Sequence, residues 1–521
     1  MLIFNRQIVH THDTTMKRLI YLLLILPLGI NAQNMYDVAP LFGNDLTGTA
    51  RFVGMGGAMG ALGADLSTMN TNPAGMAVYR SNDCALTGTL LFNISKSSYE
   101  GSNARLSNTY AGINNAAFVI STERDENYLR YLNFGFGFHR RNNLSGVFEM
   151  YGAAGLHSQQ YLMDELYKSN PFDYNNVESS MYSNFSHSWL SLLASDAGLC
   201  DDLGNIITNP DGALLWTPDE LGYYEMTTGG VNTLDFNLSA NFDDRLYLGA
   251  TVAVSVVDYN KYSEYRETDA VGDIYVLENN RYITGTGFDM KLGAIFRPMQ
   301  YSPLKVGLSF HTPTRYALRE YSSAAIANPI CGYSCSTTDS ELYGQMLSVN
   351  TTLRTPWRLG ASVAYTFGTE LALDAEYEYS DYTASAFIGR NNDLVKAQNE
   401  EISYNMKAQH TLRVGAEYNL SDFAVRAGYN YQTAPFAADA YKEMYNASIA
   451  ETSTEYMNRY DKNIITLGVG GKETLFYWDL AYMLELQRTE FFPFVDYAIR
   501  NPGATVRNTR HSVVATLGVR F

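Results

Sequence analysis

The chain is 521 residues long with a formal net charge of −17, and it combines 40 tyrosines and 41 glycines with 17% charged residues. The acidic balance excludes a nucleic-acid binder, which needs a basic surface. Many tyrosines and glycines beside a modest apolar fraction point to β structure with wetted faces. Length alone suggests several domains, but β barrels exceed that prior as single units.

Residues 1–32 read as an export signal. Met16-Lys17-Arg18 gives a basic start, Leu19 to Ile30 an apolar run, and Asn31-Ala32-Gln33 a small residue at the cut. We expect translation to start at Met16 and cleavage to follow Ala32. No cysteine follows the cut, so lipid anchoring there is not expected. The run is too short for a comfortable transmembrane helix, and no later stretch is long and apolar enough. If the mature chain spans a membrane, it must do so as a closed barrel, the other structure that satisfies its own backbone in lipid.

Residues 33–82 read as a plug. Gly54-Met-Gly-Gly-Ala-Met-Gly60 invites a phosphate-loop reading, but no apolar strand precedes it. Ser67 to Gly75 ends in Asn-Pro, a turn signal. A tightly packed coil that needs glycine for close backbone approach fits better.

Residues 83–521 read as about fourteen antiparallel strands. Leu234, Phe236, Leu238, Ala240 and Phe242 alternate with Asp235, Asn237, Ser239 and Asn241, and the same period of two recurs to the end of the chain. The predicted strands are 84–99, 109–123, 130–151, 231–243, 245–265, 285–297, 303–322, 350–367, 370–388, 405–418, 421–433, 461–472, 473–490 and 509–521. A soluble sandwich also alternates. Long strands, a strict alternation of tight and long connections, and a last strand ending in Phe521 favour a membrane barrel instead. The tight turns are Phe242–Arg245, Phe367–Glu370 and Asn419–Asp422. The long polar loops are 266–284, 323–349, 389–404 and 434–460. The longest insert, 152–230, carries helix-like pieces at Gln160–Lys168 and Ser188–Ala197, and we expect function or packing there.

Parity places Asp289, Lys291, Lys305, His311, Arg354, Arg358, Asp374, Glu376, Glu378, Arg413, Glu417, Arg426, Asn430, Asp479 and Glu485 in the lumen, where charge is tolerated. Arg354, Arg358, Arg413 and Arg426 are candidate contacts for an anionic head group. Pairing with the lumenal carboxylates is the competing role. Small residues at Gly249, Gly293, Gly307, Gly360, Gly415, Gly428 and Gly468 leave room for a plug or an apolar ligand. Cys331 and Cys335, in a predicted loop, suit a local disulfide better than a metal site, and Cys84 and Cys200 stand alone. The six histidines after the cut (His139, His157, His187, His311, His410 and His511) show no grouping with serine and carboxylate, so no catalytic residue, metal or cofactor is expected.

The segment Arg51 to Asp65, with Ser67-Thr68 and Asn72-Pro73-Ala74-Gly75, resembles the amino-terminal hatch of the FadL/TodX family of outer-membrane transporters. The family's Asn-Pro-Ala motif falls on Asn72, Pro73 and Ala74. The resemblance implies a fourteen-stranded transmembrane barrel with the hatch inside its lumen, in the outer membrane of a Gram-negative bacterium. It implies passive uptake of long-chain fatty acids or similar hydrophobic compounds: capture by external loops, passage to a pocket beside the hatch, and sideways release at a bend in the third strand. Gly135 and Gly137 are the expected bend. The partners expected are the cargo, the bilayer and the barrel-assembly machinery, with the protein a monomer. Two other readings stay open: a non-transporting barrel that serves as a docking or secretion partner, supported if salt bridges fill the lumen, and a carrier of another cargo such as an aromatic hydrocarbon or haem. For haem, His157 and His187 share one loop.

Overall fold

The computed structural model describes residues 34–521 apart from 125–127, 174–176, 184, 186, 200–213, 215, 300–301, 330–332, 338–346, 390–392, 445–448 and 498–500. The expected export signal, Cys331 and Cys200 therefore lie outside the described residues, and so does the Cys331–Cys335 pairing. Cys84 is a free, exposed thiol.

One closed antiparallel sheet of fourteen strands forms the barrel. The strands are β1 (Asp83–Tyr99), β2 (Ser102–Glu123), β3 (Leu129–Asn143, continuing as Gly146–Ala153), β4 (Glu220–Phe242), β5 (Leu246–Thr268) and β6 (Asp273–Phe296). Next come β7 (Lys305–His311 and Arg315–Asn328), β8 (Leu347–Arg354 and Arg358–Phe367), β9 (Leu371–Asp381 and Ala386–Ile388) and β10 (Ala408–Leu420). The last four are β11 (Phe423–Gln432), β12 (Tyr456–Lys472), β13 (Phe476–Phe492) and β14 (Ala504–Arg520). Closure is β1 on β14, from Asp83↔Arg520 to Ser98↔Thr505. Asn82 and Phe521 exchange two backbone hydrogen bonds at its end.

The alternation is inverted relative to a soluble protein. On β4, Leu234, Phe236 and Leu238 are 38%, 45% and 57% exposed, whereas Asp235, Asn237 and Ser239 are at most 2% exposed. Apolar side chains form the outer wall and polar ones the interior, the arrangement of a lipid-embedded barrel. Among the described residues no helix is long and apolar enough to cross a membrane.

Three features differ from the sequence expectation. β4 starts at Glu220 rather than 231, and 266–284 is not a loop, because β5 and β6 run on to a tight turn between Thr268 and Asp273. The inner faces of these extensions bury Leu221, Tyr223, Tyr265, Tyr275 and Leu277 against a cap that holds Trp189, Leu190, Leu192 and Leu193. The cap contains α3 (Gln159–Ser169) and α4 (Trp189–Asp196), close to the two predicted helical pieces. Glu267 anchors it to β5 by accepting bonds from the Ser158 and Tyr265 hydroxyls, the Gln159 amide and the Gln160 side chain. Connections at the loop end are consequently not all long: 100–101 and 269–272 are tight.

The third feature is a pair of adjacent breaks, at Thr312-Pro313-Thr314 in β7 and Thr355-Pro356-Trp357 in β8. Proline lacks the amide a ladder needs, and the two breaks bond to each other through Thr355 N to Thr314 O and Thr314 N to Thr355 Oγ1. Each break reverses the facing of the strand: His311 and Tyr316 both point inward, as do Leu353 and Arg358.

Candidate functional site

The segment before β1 fills the lumen. Its first helix, α1 (Met35–Phe42), is capped by Asn34, whose side chain accepts from the Asp37 amide while Asp37 accepts from the Asn34 amide. Met35, Val38, Leu41 and Phe42 pack on the inner wall and on Phe387, Val395, Ile402 and Phe436. The second helix, α2 (Ala50–Gly54), and the coil to Tyr79 lie nearer the turn end.

The glycine run and the Asn-Pro-Ala motif meet the wall backbone to backbone. A Cβ on Gly428 would lie 2.2 Å from Gly56 N, and one on Gly249 2.3 Å from Pro73 O. A Cβ would also meet plug backbone at Gly415 (2.4 Å from Met55 O), Gly307 (2.6 Å from Gly60 O) and Gly293 (2.7 Å from Ala74 N), and more loosely at Gly468 (3.1 Å from Gly54 Cα). Gly360 instead faces Ser309 of the neighbouring strand. Asn72 works twice: Nδ2 donates to Gly60 O and Oδ1 accepts the Ala74 amide. Pro73 O accepts from Asn237, and Ala74 is wholly buried. Wall carboxylates cap the remaining amides, with Asp374 accepting from Ala61 and Leu62 and Glu376 from Gly60.

The predicted lumenal charges are mostly buried as expected, and most are committed to one another. Arg426 donates to Glu417 and Asp479 at 2.6 Å each, and plug Arg51 forks onto both oxygens of the same Glu417. Arg413 pairs with Glu376 and Glu378, and Arg358 lies 3.6 Å from Glu378. Arg358, Glu378 and Arg413 share a cavity of about 50 Å³ with Lys291 and Asn430. Arg354 is a correction. The break at Pro356 turns it outward, and its guanidinium donates to Ala384 O, away from the lumen.

The bend in β3 also sits elsewhere than expected. Gly135 and Gly137 lie in unbroken register with Val119 and Ala117 of β2 and with Asn237 and Asp235 of β4. Their missing side chains admit plug residues Met69 and Met76. The irregularity lies at Arg140–Asn142, after which the strand resumes at Gly146 and pairs with β4 alone. β2 pairs with β3 only from Asn115 to Glu123. Its residues 102–114 thus face β3 without a ladder, and the contacts across this gap include the Tyr151 hydroxyl donating to Asn103 O and Arg140 lying over the Tyr110 ring. The continuation of β3 lies inside, on the lumenal side of β1, where Ser97 Oγ donates to Glu149 O. The plug holds this bend. Asp45 N donates to Arg141 O, the Asn143 amide to Asp45, the Asn142 side chain to Pro40 O, and Arg141 to Asn44.

Beside the bend is a second cavity of about 200 Å³, between α1, the bent β3 and the upper wall. Its floor is a four-membered ion cluster in which Asp45 and Glu485 each contact Lys462 and Arg510 at 3.5 to 3.8 Å. Tyr36, Tyr259, Phe436 and Tyr456 supply aromatic surface. Arg459 lines the same cavity, half-buried, and no carboxylate among the described residues lies within ion-pair distance of it. Arg459 and Lys462 flank a bulge that carries Tyr460 and Asp461. The sequence reading began this strand at 461 and so left Arg459 in a loop. Period-two alternation from Tyr456 or Ile464 puts Arg459 on the opposite face, and only the bulge after it, which no local pattern reports, brings Arg459 and Lys462 to one cavity.

His157 and His187 do not converge. One bonds Asp496 and the other the Asn170 carbonyl. Among the described residues no group of three or more metal-ligating side chains forms.

This architecture defines a class: a plugged, fourteen-stranded barrel of outer-membrane type. Its fold is that of the FadL-type channels. A FadL homologue from Pseudomonas aeruginosa matches at 14% identity over 92% of this chain and 99% of its own, with a TM-score of 0.51. The TodX monoaromatic hydrocarbon channel, as a deletion mutant, matches at 12% identity over 92% of this chain and all of its own, with a TM-score of 0.52. No family model and no curated protein matches the chain by sequence.

Proposed function

We propose that the protein is an outer-membrane channel of a Gram-negative cell that takes up long-chain fatty acids or similar hydrophobic compounds without an energy source. The observation that carries this reading is the gap without a ladder between β2 and the bent β3, beside a cavity whose floor is built jointly by plug residue Asp45 and wall residues Lys462, Glu485 and Arg510. The cargo enters through the loop-end cap and rests in the upper cavity, with its polar end toward Arg459. It leaves sideways past Asn142 and Leu144 into the membrane. Residues 40–45 of the plug bond directly to the bend, so a displacement of the plug moves the exit. Transfer of an acyl chain from water contributes about 0.8 kcal/mol per buried CH₂, which supplies the driving force. The assembly machinery would recognise the final strand, and the chain would act as a monomer.

The test is uptake of labelled oleate by cells that carry either the native chain or a variant with a disulfide tether across the gap between β2 and β3. Loss of uptake in the tethered form, restored by reductant, supports the reading; equal uptake in both refutes sideways exit. A second reading, a docking or secretion partner with the same fold, draws on the ion pairs that fill the plug level of the lumen. It predicts no uptake by either form and a protein partner that survives gentle purification.

A further inference from the structure

Outside the barrel, near the loop end, four cations stand in one row. Arg488 of β13 is directly opposite Arg507 of β14, Arg507 opposite Lys96 of β1, and Lys96 opposite Arg105 of β2. All four are exposed on the outward face. No carboxylate among the described residues pairs with any of them. Glu490, two residues from Arg488 on the same strand, accepts the Tyr460 hydroxyl. Arg488 itself reaches only Thr505 Oγ1 at 3.4 Å and the face of Tyr460. Like charges directly opposite on neighbouring strands oppose pairing, so four in succession call for a counter-charge.

Their height says what that charge belongs to. Toward the turn end the same face carries Ile94, Phe92 and Leu90 on β1 and Leu486 and Tyr482 on β13, whereas on β14 and β2 Thr509, His511, Ser107 and Thr109 come first and the apolar Val513 and Ile113 follow. The row thus stands at the upper edge of the apolar wall, level with lipid head groups. Three strand spacings give it a length of about 15 Å, and it ends at Arg105 on the part of β2 that has no strand partner toward β3.

We infer that this row binds the phosphate groups of an anionic outer-leaflet lipid, seated at the lip of the gap between β2 and β3 with its acyl chains along the open edge of β2. Arginine forks and a lysine suit phosphate oxygens, and acyl chains would shield the unladdered edge from the bilayer. The inference rests on the barrel's place in a membrane and not on its cargo.

The test uses the full chain in non-ionic detergent, with bis-phosphorylated lipid A and its dephosphorylated form as probes. The native protein should bind the phosphorylated form, with an affinity that falls as salt rises, and not the dephosphorylated one. The variant Lys96→Gln/Arg105→Gln/Arg488→Gln/Arg507→Gln should lose roughly a thousandfold in affinity while it keeps heat-modifiable barrel migration and fatty-acid uptake. Equal binding by the folded variant, or equal binding of both lipid forms by the native chain, overturns the inference. Displacement of the lipid by equimolar inorganic phosphate also overturns it, since the site would then be one for a soluble anion. Loss of uptake in the native chain would strike the transport reading alone.

Discussion

The lower and upper halves of the lumen carry similar residue types but use them differently. Around the plug, Arg51, Arg413 and Arg426 are each tied to carboxylates, and wall carboxylates cap plug amides. Higher in the lumen, plug residue Asp45 closes a cluster with Lys462, Glu485 and Arg510, and Lys261 and Arg281 also have carboxylate partners, while Arg459 lines the cavity with none among the described residues. A buried charge is therefore not by itself a sign of a binding site. The arginines that hold the plug already have carboxylate partners, whereas Arg459, the proposed ligand contact, lines the upper cavity beside the stretch of β2 that has no ladder to β3.

Disturbing the lower half should have the largest effect. A side chain at Gly428 must displace plug backbone, so Gly428→Val should unseat the plug and open an ion-conducting pore in planar bilayers, with a stability loss of about 3 kcal/mol. Glu417→Ala leaves Arg51 and Arg426 without their shared carboxylate; a loss of about 3–5 kcal/mol should appear as earlier loss of heat-modifiable migration. Arg459→Gln should do the reverse, with stability changed by less than about 1 kcal/mol. Affinity for a long-chain carboxylate should fall about tenfold, as lost quenching of an anthroyloxy-labelled acid would report.

A smaller effect concerns pH. Glu401 lies on α5 (Asp393–Asn405), a loop-end helix outside the spanning strands. Burial pushes its carboxyl up to about 7, against a hydrogen bond from the Glu443 amide. The folded value is above the unfolded one, so the folded form retains the proton longer. Stability of this cap segment is then full below about pH 4.5 and declines as pH rises toward 7. Amide protection of residues 393–405, corrected for the intrinsic rise of exchange with pH, should fall over that window in the native chain and stay flat in Glu401→Gln.

Most of the architecture was legible in the sequence because period-two alternation sets the facing of each strand. It placed Asp374, Glu376 and Glu378 inward and Leu371, Leu373 and Tyr377 outward. It misplaced Arg354 because the break at Pro356 resets the phase, which a strictly alternating count does not allow for. Gly135 and Gly137 suggested a bend through glycine's freedom, yet their role is to make room for Met69 and Met76 of the plug. The real bend at Arg140–Ser145 is fixed by bonds to residues 40–45, a contact almost 100 residues away in sequence that no local pattern reports. Arg459 was hidden for two reasons: the strand that carries it starts earlier than its most apolar stretch, and the bulge at Tyr460–Asp461 resets the alternation just after it.

The most direct measurement is a crystal structure of the chain soaked with a terminally brominated long-chain fatty acid, with bromine located by anomalous scattering. A carboxylate on Arg459 and a bromine peak in the upper cavity or along the gap between β2 and β3 are expected. Stoichiometric ligand with its bromine anywhere else, or a carboxylate held by Arg413 or Arg426 in place of their partners, would contradict the proposed site.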